Sequence, residues 1–326
     1  MNNIQKNDTW IELGADAQRQ FIDARSAFTA WEEAVKDGEL VRGGMHWKIQ
    51  GRYEYLIRTS TTNIQKSLGP RSPETEEIYK KFIERKESSE TRLAGLRETL
   101  ERHQRMNRAL HVGRAPGILI DILARLARSG LSDHFIVIGT HAIYAYETAA
   151  GVFVATDAVT TRDVDLLWDT RKRVSFITSM QRLDTHFLGL LKKVDPTFRL
   201  LESEKSKAVN SNGFEVDVIR REAHEGDPNP LRVTEHDEDF YAVQARRAGV
   251  LLSGPRFSQM IVATSGHMAR MNTISPAMFV TFKRWMGTLP NREPHKRTRD
   301  LIQADTVERL LEERLPHLAT PVRNSD

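Results

Sequence analysis

The sequence predicts an α/β protein: a mixed sheet with helices, preceded by a helical amino-terminal extension that carries a small antiparallel sheet. Three observations lead there. Phe135-Ile136-Val137-Ile138 is a short apolar run closed by Gly139-Thr140 and followed by a small-residue-rich helical segment, residues 141–148. A second apolar run carries Asp163 and Asp165, two residues apart. Asn212-Gly213 is a strong hairpin turn between residues 205–210 and the alternating residues 214–219, which predicts an antiparallel pair.

Taken in order, the first element is a helix over residues 16–35, with Phe21, Phe28, Trp31 and Val35 on one face and Gly38 ending it. Residues 45–50, 52–59 and 63–68 are short, aromatic and β-prone, divided by Gly51 and by Ser60-Thr61-Thr62, and read as three antiparallel strands. Gly69-Pro70 stops the last of them. Ser72 then caps a helix whose first residue is Pro73. That helix keeps an apolar seam of Ile78, Phe82, Leu93, Leu96, Leu100, Met106 and Leu110, and either runs unbroken to His111 or folds into a hairpin near residues 86–90. Ala115-Pro116 opens a further helix that reaches Ser129-Gly130 and feeds the Phe135 strand. Past the hairpin, residues 256–263 and 268–274 read as strands around Ser265-Gly266, and Ser275-Pro276 caps a helix carrying Lys283. Residues 297–315 form a last amphipathic helix ended by Pro316, and the tail from Thr320 is expected to fray. The expected division is residues 1–114, 115–319 and a tail of 320–326.

Composition bounds the chemistry. The 326 residues include no cysteine, which excludes disulfides, thiol chemistry and cysteine-ligated zinc. Net charge is only +4, but its distribution is uneven. Between Arg42 and Arg71 six basic residues face one acid, between Lys283 and Arg299 another six face one, and residues 222–239 form an acidic loop between these regions in sequence. Separated basic patches suit a polyanionic partner. No run approaches transmembrane length and residues 1–8 lack an apolar signal core, so a cytoplasmic protein with no membrane association is expected.

Side chains alternate on a strand, so Asp163 and Asp165 share one side while Val164 and Leu166 take the other. Two carboxylates on one face are costly unless a cation lies between them, and Mg²⁺ favours one or two carboxylates plus phosphate oxygens. Gly139-Thr140, ahead of a helix, offers free backbone N–H groups and a hydroxyl to phosphate. On the hairpin strand Asp217 faces the same side as Glu215 and is the preferred third acid, with Glu215 as the alternative. Taken singly, each piece reads as readily as a solvated strand edge or an ordinary turn; their order carries the argument.

That order resembles the nucleotidyltransferase superfamily typified by DNA polymerase beta, and within it the bacterial branch related to abortive-infection nucleotidyltransferase toxins. Here Ile138-Gly139-Thr140 stands where that branch has Gly-Gly-Thr, and Arg162 directly precedes Asp163 after Thr160-Thr161. The basic run after Lys283, through Arg292, Lys296 and Arg299-Asp300, is similar to the same branch. Met45-His46-Trp47-Lys48, Tyr55-Leu56 and Ser67-Leu68-Gly69-Pro70-Arg71-Ser72 are similar to bacterial relatives carrying this fold. The resemblance implies transfer of a nucleoside monophosphate from an NTP such as ATP to a hydroxyl of RNA (tRNA-like) or protein. Asp163, Asp165 and Asp217 would act as metal ligands and catalytic acids for Mg²⁺ or Mn²⁺. Gly139, Thr140 and Lys283 would bind the nucleotide, with Arg299-Asp300 as a salt-bridged brace.

Two readings of other kinds stay open. One is a catalytically silent nucleic-acid-binding protein with the same fold. The other is an interaction module of a toxin–antitoxin pair with a cognate antitoxin protein. Residues 42–71 alternate Trp47, Tyr53 and Tyr55 with Lys48, Arg52 and Arg58, which fits either a nucleic-acid-binding face or packing of the sheet against the first helix.

Overall fold

The computed structural model describes residues 10–159 and 161–319, with Thr156 and Asp157 as backbone only. Expectations for residues 1–8, Thr160 and the tail from Thr320 lie outside the described residues. The chain divides into two compact units, one spanning Arg19–Leu110 and the other made of the residues on either side. This departs from a division at residue 114. The reason is a three-residue strand, β1 (Trp10–Glu12), which pairs antiparallel with Val152–Val154 and so joins the chain's beginning to the second unit.

The inserted unit takes in all but the first turn of α1 (Ala15–Glu39), which runs through Gly38 rather than ending there. Phe21, Ala24, Phe28 and Ala34 are buried along it. Three strands follow, β2 (Gly44–Gln50), β3 (Tyr53–Thr59) and β4 (Gln65–Pro70), antiparallel and in sequence order as expected. Then comes α2 (Pro73–Ala109), a single helix of 37 residues, which decides the open question of a break. Ser72 caps it through the Thr75 amide, and Thr75 returns the bond to the Ser72 amide. Phe82 is buried, but Ile78, Met106 and Leu110 are exposed, so the predicted seam is only partly used. A buried polar contact stands in its place near the carboxyl end: the Gln20 amide donates to Asn107 Oδ1 at 2.9 Å.

Two cations of this region, Arg58 and Arg71, are committed to packing. Trp47 packs on Tyr79 of α2, with ring centroids 5.9 Å apart, and the Arg71 guanidinium lies 5.1 Å from the Trp47 ring. Arg58 lies over Phe82 at 4.5 Å and donates to the Gly44, Thr59 and Arg42 carbonyls. One face of the small sheet therefore packs on α2. Lys48, Arg52 and Tyr53 remain exposed.

In the second unit α3 (Gly117–Arg128) leads to β5 (Phe135–Ile138), all four residues buried. A single 3₁₀ turn, Thr140–Ala142, separates it from α4 (Ile143–Ala150). The chain continues through β6 (Val152–Val154), α5 (Thr156–Val159) and β7 (Asp163–Trp168). Two short helices come next, α6 (Arg173–Arg182) and α7 (Phe187–Lys192). They lead to β8 (Arg199–Leu200), β9 (Lys207–Val209) and β10 (Glu215–Arg220). Strands β11 (Leu231–Arg232) and β12 (Tyr241–Gln244) precede α8 (Ala248–Ser253). The hairpin β13 (Arg256–Val262) and β14 (Met268–Ile274) and the helices α9 (Pro276–Gly287) and α10 (Pro294–Glu313) complete it. The last helix begins three residues earlier than expected, at a proline suited to a first helical position.

The nine strands other than β1–β4 and β6 make one mixed sheet. Its spine runs β11-β12-β10-β7-β5-β14-β13, with β9 also on β10 and β8 on β9. Strand β7 is central, parallel to β10 and antiparallel to β5. Val164, Leu166, Trp168, Val216 and Val218 are fully buried on one side of this pair. Burial of every second residue fixes the register, since a one-residue slip would turn the apolar set outward. Among the described residues no helix is long and apolar enough to cross a membrane.

Candidate active site

The face of β7 and β10 opposite that apolar set holds the acids. The parallel register places Glu215 beside Asp163 and Asp217 beside Asp165. One carboxylate oxygen from each of Asp163, Asp165 and Asp217 lies within 4.8 Å of the others. The structure thus brings together all three expected acids. Glu215 is instead held 2.9 Å from the Lys207 ammonium.

The cluster carries more negative charge than its surroundings neutralise. Burial, then the neighbouring Asp163 and Asp217 carboxylates, push the Asp165 carboxyl up to about 7, against a weaker opposing pull from Lys283 and Lys207. Burial also pushes Asp217 up to about 6, with Lys207 acting the other way. Asp163 accepts a hydrogen bond from the Thr161 hydroxyl. Among the described residues no Lys or Arg makes an ion pair with Asp163 or Asp165. Three converging carboxylates with excess charge are a donor set for a hard divalent cation, and the residues present fit one.

Gly139 is dictated by this cluster. Its φ is 71°, a left-handed conformation, and a Cβ there would come within 2.3 Å of Asp165 Oδ2. The backbone of the Gly-Thr turn therefore passes directly against the acid that occupies the centre of the site. Thr140 is buried, and its hydroxyl accepts a hydrogen bond from the Gln303 amide at 3.0 Å. The same amide donates to the Ala158 carbonyl at 2.7 Å, so α10 ties the turn to α5. His141, next in sequence, is fully buried against Tyr144 and Phe214, and burial lowers its pKa to about 4.

Lys283 is buried on α9, and its ammonium is 2.7 Å from Asp300 Oδ1. Arg292 pairs with the other oxygen of Asp300, which is wholly buried. Burial draws the Lys283 pKa down, while Asp300 and, more weakly, Asp165 hold it up. Lys283 thus lies within electrostatic reach of the acid cluster while its hydrogen bond goes to Asp300. The brace expected of Arg299-Asp300 is formed by Asp300 with Lys283 and Arg292.

Three contacts of this unit had not been expected from the sequence. Lys207 stands opposite Asp217 across the β9–β10 ladder. Gln303 holds the Gly-Thr turn. Arg114 makes a two-point contact with buried Glu147 at 3.1 and 2.6 Å and also donates to the Val154 carbonyl, fixing α4 to β6. Only Lys207 had a local signal, its place on the hairpin strand that precedes Asn212-Gly213. The other two depend on elements that meet only in the fold.

A family model described as nucleotidyltransferase matches residues 118–324. That span contains the Gly-Thr turn, all three acids, Lys283 and the helix of Gln303. No curated protein and no solved structure matched the chain.

Proposed function

The chain belongs to the nucleotidyltransferase family, and from that premise we propose that it moves a nucleoside monophosphate from an NTP to a hydroxyl of RNA or protein, with Mg²⁺ or Mn²⁺ at the acid cluster. The observation that carries this reading is the convergence of Asp163, Asp165 and Asp217, with no Lys or Arg among the described residues ion-paired to Asp163 or Asp165.

In this reading Asp163 and Asp165 hold the cation that accompanies the triphosphate, and Asp217 holds the one nearest the acceptor hydroxyl. A bound metal pair supplies charge neutralisation on the attacking and leaving oxygens of the phosphoryl transfer. The protein's own part is orientation. The rigid β7–β10 ladder sets the spacing of the acids, and Gly139 lets backbone amides approach the phosphates without a side chain in between. Lys283, buried and ion-paired with Asp300, would add positive potential where the triphosphate would lie, and that bond keeps it in place.

The choice among RNA and protein acceptors, the toxin-like branch and a cognate antitoxin rest on the motif resemblance. Incubation with labelled NTPs, Mg²⁺ and total RNA, and separately with total protein, tests the reaction. Label should enter one pool with the natural chain and neither pool with Asp163→Asn or Asp165→Asn. Full incorporation by both variants would remove these acids from the mechanism.

One observation favours a second reading, a silent nucleic-acid-binding protein. The Thr140 hydroxyl and the Lys283 ammonium are both already bonded within the protein. RNA binding without metal-dependent NTP turnover would select that reading.

A further inference from the structure

Lys207 is placed where a metal ion would be expected to act. It lies directly across from Asp217 on β9, and β9 is pinned on both sides, by β8 and β10. Its ammonium is 3.5 Å from Asp217 Oδ2, 2.9 Å from Glu215 and 3.9 Å from Glu204. The Lys207 and Asp217 side chains are 20% and 13% exposed, so water screens the pair only in part. Among the described residues no Lys or Arg is ion-paired with Asp163 or Asp165, on the other side of the cluster. The three acids therefore form two unequal halves, a bare pair and a single acid with a lysine bonded to it.

We propose that Lys207 is a built-in counter-ion for Asp217 that a divalent metal must displace, so the Asp217 half of the site binds metal more weakly than the Asp163–Asp165 half. The inference rests on the transferase reading and extends it: the two metal positions fill in order, the second only when the incoming cation outcompetes the ammonium. Neither bond is covalent, and the ammonium keeps its proton and its contacts with Glu215 and Glu204 when it leaves Asp217. A plain structural role for Lys207, tying β9 to β10, makes the opposite prediction, because loosening that tie would disorganise Asp217 and weaken metal binding.

Mn²⁺ titration of the full chain, followed by electron paramagnetic resonance in the absence of nucleotide, separates the two. Lys207→Met should bind Mn²⁺ roughly tenfold tighter than the natural chain at the weaker position, since a competing unit charge is gone. Lys207→Arg, which keeps the charge, should match the natural chain. The rise in melting temperature on adding Mn²⁺ should be larger for Lys207→Met. Unchanged or weaker Mn²⁺ binding by Lys207→Met overturns the proposal. Lys207→Gln carries the same comparison if the Met variant misfolds, and loss of the fold in both would establish the structural role instead. Asp165→Asn keeps the two levels apart. If it binds Mn²⁺ as the natural chain does, the acid cluster is not the metal site and both readings fall. If it loses Mn²⁺ while Lys207→Met binds like the natural chain, only the role of Lys207 falls.

Discussion

Strand β7 has an acid near each end of its reach, and the two are treated in opposite ways. Asp169, just past the strand, is 2% exposed and is met by Arg171 at 2.7 and 2.9 Å and by Arg256 at 2.9 Å. Burial works to raise its pKa, but the Arg171 and Arg256 contacts outweigh it and hold the carboxyl below its usual range. Asp165, four positions earlier, has two carboxylates for neighbours and is pushed up to about 7. A buried acid supplied with its cations is committed to the fold, whereas one left without an ion-pair partner is poised for a cation from solution.

Substitution tests the contrast most strongly at Asp165. Asp165→Asn should lower metal-dependent transfer by about 10³-fold or more, while the metal-free melting temperature stays level or rises because a charged neighbour of Asp163 and Asp217 is removed. Steady-state incorporation assays and thermal melts in EDTA measure both. A large loss of stability instead would place Asp165 in the same class as Asp169.

Gly139→Ala ranks next. The methyl group would meet Asp165 Oδ2 and force a left-handed φ on a residue that resists it. Transfer should fall by roughly 10- to 100-fold with a stability loss of about 1–2 kcal/mol. Wild-type rates would show that the turn and the acid do not depend on one another.

Asp169→Asn reverses the pattern seen at Asp165. It leaves two arginines without their acid and should cost about 1–3 kcal/mol of stability, at the low end of buried pairs because Arg171 and Arg256 are partly solvated. Activity per folded molecule should persist, as chemical denaturation run beside the transfer assay would reveal.

The smallest effect is on pH dependence. Asp165 holds its proton to about 7 in the folded chain but releases it near 4 when unfolded. The folded state then binds more protons over that window, so metal-free stability falls as pH rises from about 4 to 7. The lowered pKa of Asp169 gives the opposite sign: its contribution is present above its unfolded value and is lost on acidification. Relative to Asp165→Asn, the natural chain should lose stability across the higher window. Parallel melting curves for the two proteins would eliminate Asp165 as the source.

The local parts of this site were legible in the sequence. Alternation placed Asp163 and Asp165 on one side of a strand, and Asn212-Gly213 set the hairpin that delivers Asp217. The register of Lys207 was not legible: a two-residue turn at Asn212-Gly213 would put residue 208 opposite 217, whereas the hairpin is symmetric about Asn212 and puts Lys207 there. What could not be read was anything decided by docking. The Lys283–Asp300–Arg292 cluster requires α9 to lie along α10, and the Gln303–Thr140 bond joins residues 163 positions apart. The continuity of α2 was also undecided by pattern, since its middle is uniformly polar and neither hairpin nor helix buries anything there. In the small sheet, composition suggested a cationic aromatic surface, but Arg58 and Trp47 turned out to share the packed side. Period-two alternation identifies two faces without saying which of them is covered.

The pairing of β1 with β6 also has a consequence for how the chain assembles. Its two strands are separated by about 140 residues, so the ladder gains nothing until that long loop closes, and closure entropy grows with loop length. Contacts within Arg19–Leu110 are far more local, and they are expected to form earlier as the polypeptide is made. Pulsed hydrogen exchange should therefore find the Ile11 and Phe153 amides protected after those of α2 and the small sheet, making this ladder a late latch on the transferase unit.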